Sequence, residues 1–381
     1  MKKFGYVTCA ALLVLSSCTN EINEEGFVDK AKTISFSAYS NKTRAVVGDV
    51  TSENMTGDNF GVVGYKSDNS IYLYKGTNSA VEQKWNSSSR TWEYNTSGDL
   101  KFWPEGSMDF YAFFPYSDNA TFAESNASGN VMTIPSVNCS HDVLFAKYTT
   151  SYVERVPLTF HHAFSKIQGL NIKVDGGNVA DANVQVIVSS IEFINTSRSG
   201  DVMVNNEGKA TYKVAETNVP LKKDFESAQT IDKTVTSGVN FITSSDNCYL
   251  FATNGSETKN VTGTSKTMWD GTNTGWGEGE KLSAKDLVCL KLTCKVKDPT
   301  HYLVGSETEN DYGVVYIPLT GTHSGTTTNL SAFEPGKRYT FNIVFTHNVG
   351  FTDEGNAILK PILFEVESVT GWENVTVTIT L

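Results

Sequence analysis

Short alternations of apolar and polar residues recur along the chain, each bounded by Gly, Asn, Asp, Ser or Pro. In residues 33–39, for example, Ile34, Phe36 and Ala38 fall on one face of an extended segment. Runs of Ala, Leu, Glu and Lys at helical spacing are missing from the sequence. The alternation predicts about thirteen strands, at residues 33–39, 60–65, 109–114, 143–148, 156–160, 167–174, 184–194, 248–253, 287–296, 312–319, 338–346, 362–369 and 374–381.

Short strands at this spacing predict an all-β protein built from two sandwich-type domains. The stretch at 210–230 is polar and weakly patterned, so we place the boundary there, between a domain at residues 45–215 and another at 216–381. One larger sandwich would give the same pattern. A chain of 381 residues is long enough for either arrangement.

The first seventeen residues have the features of a secretory signal peptide. Met1-Lys2-Lys3 is a basic start, and the apolar run at 4–15 is too short to span a bilayer. The run ends in Leu-Ser-Ser-Cys, which resembles a bacterial lipobox with Cys18 as the acylated residue. An ordinary signal peptide that contains a cysteine is the alternative. We expect residues 1–17 to be removed and Cys18 to anchor the chain in outer-membrane lipid.

The net charge of the chain argues against two classes of binding partner. The formal net charge is −11, which argues against binding to nucleic acid and against electrostatic docking on anionic lipid. No later stretch is apolar enough to cross a membrane, so a lipid on Cys18 is the only attachment that the sequence predicts.

Signals for catalysis or metal binding are weak. Beyond Cys18 four cysteines remain, and they lack C-x-x-C spacing and are too few for a disulfide framework: Cys139, Cys248, Cys289 and Cys294. We expect Cys289 and Cys294 to be small core residues rather than a metal site or a bridge. His161 and His162 are adjacent, so they point to opposite faces of a strand and cannot form a two-histidine metal face. The sequence lacks the nucleophile-elbow, zinc-peptidase and P-loop motifs. We therefore expect no enzyme activity, no metal and no cofactor.

Aromatic side chains are the one ligand-like feature. Trp85 and Trp92 flank the Ser-Ser-Ser-Arg turn of a predicted hairpin, and Trp103 precedes a proline. Exposed tryptophans stack on sugars, so these residues, with Tyr94, Trp269 and Trp276, support glycan binding as an alternative function. Core packing and hairpin stabilisation explain them equally well.

A series of sequence blocks resembles the fimbrillin family, the lipoprotein precursors of type V pilus subunits and their surface relatives in anaerobic Gram-negative bacteria. The resemblance runs from Thr33 to Leu381, and the blocks keep their order: TISFSAYSNKTRA, GDNFGVVGYK, KWNSSSRTWEYN, KFWPEGSMDFYAFFPY, HDVLFAK, VPLTFHHAFSKI, LSAFEPGKRYTFNIVF and VTGWENVTVTITL. It implies two transthyretin-like β-sandwich domains in tandem, strand exchange with other pilus subunits, and a surface-exposed lipid anchor that precedes the fimbrium. It also implies a structural or adhesive role, with a host or bacterial surface ligand.

The resemblance assigns residues 18–44 to a lipid-anchored propeptide that carries the first strand. An arginine-specific protease would cut between Arg44 and Ala45, and Arg44 is the only arginine between Cys18 and the body of the protein. Losing residues 33–40 would leave an apolar groove with unpaired backbone groups, which is a template for strand addition. The alternatives are a surface arginine at 44 and an ordinary first strand. A glycan-binding lipoprotein that never polymerises would keep its lipidated Cys18 and the strand at residues 33–39.

The resemblance also implies a donor strand, for which residues 374–381 are the candidate. Val375, Val377, Ile379 and Leu381 lie on one side of this segment, with threonines between them. A C-terminal strand that pairs within its own domain would show the same alternation, so the sequence leaves both readings open.

Overall fold

The computed structural model describes residues 32–40, 54–76, 79–174, 183–215, 220–252, 258–259, 265–266, 288–319, 330, 332–345, 348–352, 357–359, 363–369 and 373–380. Within these ranges the chain forms strands and two short 3-10 helices, at Met55–Gly57 and Ser97–Asp99. None of the helices in the described ranges has the length and apolar character needed to cross a membrane. The all-β prediction is confirmed.

The strands are numbered in chain order: β1 Phe36–Ser40, β2 Phe60–Lys66, β3 Ile71–Leu73, β4 Val81–Asn86, β5 Thr91–Tyr94, β6 Met108–Phe114, β7 Thr121–Phe122, β8 Asn130–Val137, β9 Leu144–Thr150, β10 Val156–His162, β11 Phe164–Val174, β12 Gln185–Ile194, β13 Gly200–Asn205, β14 Ala210–Val214, β15 Leu221–Ile231, β16 Val239–Ile242, β17 Tyr249–Phe251, β18 Thr258–Lys259, β19 Ser265–Lys266, β20 Cys289–Lys297, β21 Tyr302–Val304, β22 Gly313–Pro318, β23 Lys337–Phe345, β24 Asn348–Phe351, β25 Ala357–Leu359, β26 Leu363–Val369 and β27 Glu373–Thr380. Each of the thirteen predicted strands overlaps one of these strands.

Four large sheets organise the described strands. The eight-stranded sheet has the order β1-β10-β9-β6-β2-β4-β5, with β3 added to β2, and the four-stranded sheet has the order β14-β13-β8-β7. The six-stranded sheet runs β16-β11-β23-β27-β26, with β17 added to β11. The seven-stranded sheet runs β15-β12-β20-β22-β24-β25, with β21 added to β20. Strands β18 and β19 pair with each other.

The apolar side chains form three buried clusters. Successive side chains of a strand point to opposite faces, so β6 contributes side chains to two of these clusters. Phe110 and Ala112 lie in a cluster on one face of the eight-stranded sheet, whereas Tyr111 and Phe113 lie in a cluster shared with the four-stranded sheet. The third cluster lies between the six-stranded and seven-stranded sheets. Two of the three clusters therefore lie between packed sheets, and the other lies on one face of the eight-stranded sheet.

The polar stretch at 210–230 contains strands β14 and β15, which the weak pattern did not predict. β15 is an end strand of the seven-stranded sheet, and most of its side chains are exposed or half-buried. Such a strand is held by backbone hydrogen bonds and needs no apolar alternation. Strands β11 and β12 precede residue 215 but pair with strands that follow it. The division into domains at 45–215 and 216–381 and their transthyretin-like topology stay predictions.

Candidate functional site at the first strand

Strand β1 lies at one end of the eight-stranded sheet. It pairs in parallel with β10, and the register runs from Phe36 opposite Val156 to Ser40 opposite Phe160. Parallel pairing joins strands that are far apart in sequence, because a tight hairpin cannot connect them. More than 100 residues of intervening chain therefore separate the first strand from its partner.

The residues just before β1 bind the opposite end of the same sheet. The Ile34 N–H donates to the carbonyl oxygen of Lys101 at 2.9 Å, and the Trp103 N–H donates to that of Lys32 at 3.1 Å. The Tyr94 hydroxyl of β5 donates to the carbonyl oxygen of Ile34 at 2.9 Å. Burial raises the pKa of Tyr94 well above its ordinary value, so the phenol stays protonated and able to donate. Residues 32–40 thus fill a gap between β10 on one side and β5 with residues 101–103 on the other.

We call this gap the first-strand slot. Ile34 and Phe36 point into it and are completely buried. The Phe36 ring meets the rings of Phe60 and Phe110 edge-on, with centroids 6.2 and 5.6 Å apart. Tyr39 points away from these buried rings and is 54 % exposed. Burying two large apolar side chains stabilises the seated strand by about 3–6 kcal/mol before ordering entropy is subtracted.

Strand β10 depends on β1 for its pairing. Its apolar residues Val156, Leu158 and Phe160 are completely buried. In the described part of the chain, the register between β10 and β9 covers only His161 and His162. Residues 156–160 therefore take their ladder hydrogen bonds from β1. An empty first-strand slot would leave this segment with exposed apolar side chains and unpaired backbone groups, which is costly in water.

The predicted maturation and lipidation residues lie outside the described ranges: Cys18, Arg44 and Ala45. Leu381 also lies outside them. Val375, Val377 and Ile379 lie in β27, which pairs in parallel with β23 and antiparallel with β26 of the same chain. Donation of this strand to a neighbour stays a prediction.

The tryptophans of the predicted hairpin are part of the core around the slot. Trp85 lies opposite Trp92 in the β4–β5 hairpin, as predicted, with ring centroids 5.5 Å apart. Trp92 is buried and its ring lies 4.8 Å from that of Phe60, one of the rings that contact Phe36. Trp103 packs edge-on against Phe110 and Tyr152. Trp269 and Trp276 lie outside the described residues. Packing accounts for the three tryptophans whose surroundings are described.

The four cysteines beyond Cys18 are buried free thiols, which confirms the prediction made for Cys289 and Cys294. Burial raises the pKa of Cys248 to about 11 and that of Cys294 to about 12, and it raises those of Cys139 and Cys289 as well. These thiols therefore stay protonated at neutral pH, which makes them poor nucleophiles and poor metal ligands. Within the described ranges, no three His, Cys, Asp or Glu side chains are placed to hold a metal ion.

The two adjacent histidines lie on opposite sides of β10, as predicted. His161 is exposed, whereas His162 is buried with its Nδ1 atom 2.6 Å from Oδ2 of Asp142. A buried pair of this kind ties β10 to the segment before β9. The sequence pattern did not indicate this pair, because the two residues are 20 positions apart.

These observations define the chain as a layered β-sandwich protein in which an N-terminal strand completes one sheet end. It belongs to the fimbrillin-like family, whose model matches residues 43–358. The resemblance drawn from the sequence blocks is thereby confirmed. Membership makes the chain a fimbrial-type protein.

Solved structures of similar length match the chain at low identity. A fimbrial protein from Bacteroides vulgatus ATCC 8482 is 13 % identical, with 91 % of this chain and 98 % of that one covered and a TM-score of 0.45. A protein from Bacteroides uniformis ATCC 8492 with a proposed role in cell adhesion is 13 % identical, with coverages of 91 % and 98 % and a TM-score of 0.38. One from Parabacteroides distasonis ATCC 8503, also with a proposed role in cell adhesion, is 8 % identical, with coverages of 91 % and 97 % and a TM-score of 0.41. No match was found among curated proteins.

Proposed function

We propose that the chain is the precursor of a structural or adhesive pilus subunit that polymerises by strand exchange. It is exported as a lipoprotein on Cys18, displayed on the outer membrane, and cut between Arg44 and Ala45. The observation that carries this proposal is the seating of residues 32–40 in the first-strand slot. These residues belong to the segment that the cut releases, yet they fill one end of a sheet.

The empty slot would have the properties of a strand acceptor. It would be lined by Phe60, Phe110 and the buried side chains of β10, and one of its edges would be an unpaired backbone. An extended segment with an apolar residue at every second position restores both the burial and the ladder. The polymer is then held together by the same contacts that stabilise the precursor.

The C-terminal strand is the proposed donor. β27 and β26 are the last two strands of the six-stranded sheet, so their departure leaves β23 paired with β11 and the rest of that sheet in place. β27 pairs with β23 in parallel, which is also how β1 pairs with β10. Its alternation of Val375, Val377 and Ile379 with threonines matches the alternation of Ile34 and Phe36 with serines. The partners are therefore further pilus subunits, identical or related.

Replacing the lipidated cysteine is expected to abolish anchoring. In Cys18→Ala the thiol that receives the acyl chains is gone, so the protein should remain unprocessed or be released in soluble form. Metabolic labelling with a fatty acid, followed by membrane fractionation, measures this loss. Cys9→Ala is the matched control, because that cysteine lies within the predicted signal peptide and should not affect labelling. Label that persists in Cys18→Ala contradicts the assignment.

Replacing the arginine at the predicted cut is expected to stop maturation. Arg44→Ala should leave a lipid-bound precursor in which residues 32–40 still occupy the first-strand slot, so no polymer forms. Immunoblots of membrane and sheared-surface fractions check its size and location. Lys42→Ala removes a neighbouring positive charge without touching the arginine, and it should mature normally. Mature protein of unchanged size in Arg44→Ala would place the cut elsewhere.

A further inference from the structure

Arg155 is an exposed arginine at the edge of the first-strand slot. It immediately precedes β10, and both of its neighbours are bound to a single residue of the segment that maturation would remove. The Ser35 hydroxyl donates to the carbonyl oxygen of Glu154 at 2.6 Å. The Val156 N–H donates to the carbonyl oxygen of Ser35 at 2.8 Å. The peptide bond between Arg155 and Val156 is thus held in the parallel ladder.

We infer that Arg155–Val156 is a second, conditional cleavage site for an arginine-specific endopeptidase, shielded only while a strand occupies the first-strand slot. Proteases bind their substrates as extended segments through backbone hydrogen bonds. In the filled slot, the Val156 N–H and the Glu154 carbonyl oxygen are already bonded to Ser35, and a donor strand in the same place would occupy the backbone of β10 in the same way. This inference rests on the proposed function in taking a cut at Arg44 as the event that empties the slot.

An empty slot removes the shield without unfolding the rest of the molecule. Residues 156–160 lose the strand with which they form their ladder, and the exposed loop at 151–155 leads directly into them. Water then adds across the Arg155–Val156 bond, giving a carboxylate on Arg155 and an amine on Val156. A subunit that receives a donor strand keeps the bond intact. A subunit that stays empty is destroyed by the same class of enzyme that matured it.

The other arginines of the described chain serve as internal reporters. Arg90 is exposed in the β4–β5 turn, with a φ of 54°, so its cleavage reports the activity of the protease. Arg198 is half-buried, with its guanidinium donating to the carbonyl oxygens of Tyr249 and Cys139 at 3.0 and 3.2 Å. Arg338 is buried, at 3 % exposure, so its cleavage reports global unfolding.

The experiment uses the full-length chain, a soluble arginine-specific endopeptidase and mass spectrometry of the new termini. Arg44→Lys keeps the first strand attached, and its bond at Arg155 should survive. Adding Phe36→Asp puts a charge among Phe60 and Phe110, so the strand cannot seat, and cleavage at Arg155 should accelerate at least tenfold while Arg338 stays intact. Adding Tyr39→Asp instead places the same charge on the outward face, where it should have no effect. Because neither variant is cut at residue 44, this assay reports shielding even if maturation or polymerisation fails.

A second experiment uses the wild-type protein. After the cut at Arg44, excess synthetic peptide of residues 32–40 should slow cleavage at Arg155 at least tenfold and leave cleavage at Arg90 unchanged. Equal cleavage at Arg155 in Arg44→Lys with and without Phe36→Asp overturns the inference. So does cleavage at Arg155 that always accompanies cleavage at Arg338, or a peptide that gives no protection.

Discussion

Phe36→Ala is expected to lower the free energy of unfolding of the full-length precursor by about 3–5 kcal/mol, the usual cost of emptying a phenylalanine site in a core. Phe36 is completely buried, and its ring packs edge-on against Phe60 and Phe110. The cavity would lie between the seated first strand and the rings of Phe60 and Phe110. The mature protein should be unaffected, because residue 36 is removed with the propeptide.

Chemical denaturation of the purified precursor and of the product cut at Arg44 measures both effects. Tyr39→Ala is the matched control in the same strand, since its side chain is half exposed and its loss should change stability by less than about 0.5 kcal/mol. Mature protein from the Phe36→Ala precursor should form polymers with normal stability. An equal loss of stability in precursor and surface-extracted protein would mean that the first strand is never exchanged.

Deletion of residues 374–381 is expected to abolish polymer formation while the monomer stays folded. Their removal takes away β27 and leaves β26 without its ladder partner, but these two strands end the six-stranded sheet. β23 keeps its register with β11, and the eight-stranded sheet with its first-strand slot contains neither β26 nor β27. The variant should therefore still be cut at Arg44 and should still accept a peptide in the slot.

Circular dichroism and the thermal unfolding curve of the monomer check the fold, and electron microscopy of the surface fraction checks the polymer. Val377→Asp, on the apolar side of the segment, is the point-mutant version of the test. Thr378→Asp is its control on the polar side. A monomer that unfolds on deletion of residues 374–381 would make β27 a permanent strand of the six-stranded sheet and would remove it as the donor.

The sequence predicted the first strand because Ile34 and Phe36 alternate with serines, and both side chains are buried as the alternation indicates. It did not predict the partner of that strand. The Ser35 hydroxyl bonds to a carbonyl 119 residues away, and periodicity carries no information about pairing over such a distance. The Tyr94 hydrogen bond to Ile34 was missed for the same reason.

Strand β15 was missed for a different reason, because its sequence has no regular apolar alternation. An end strand with exposed side chains is specified by backbone pairing with β12, and its side chains leave no apolar signature in the sequence. For the C-terminal strand β27, the sequence predicted the strand but left its partner open. Its alternation predicted a strand correctly, but whether that strand serves its own sheet or a neighbour depends on relative stabilities that one chain's pattern does not encode.

The N-terminal sequence of the protein extracted from the cell surface tests the central claim most directly. If the first strand is exchanged, polymerised protein begins at Ala45, and the lipid and residues 32–40 are absent from it. If the chain is a permanent lipoprotein, the extracted protein begins at an acylated Cys18 and retains residues 32–40. That result would contradict strand exchange at the first-strand slot.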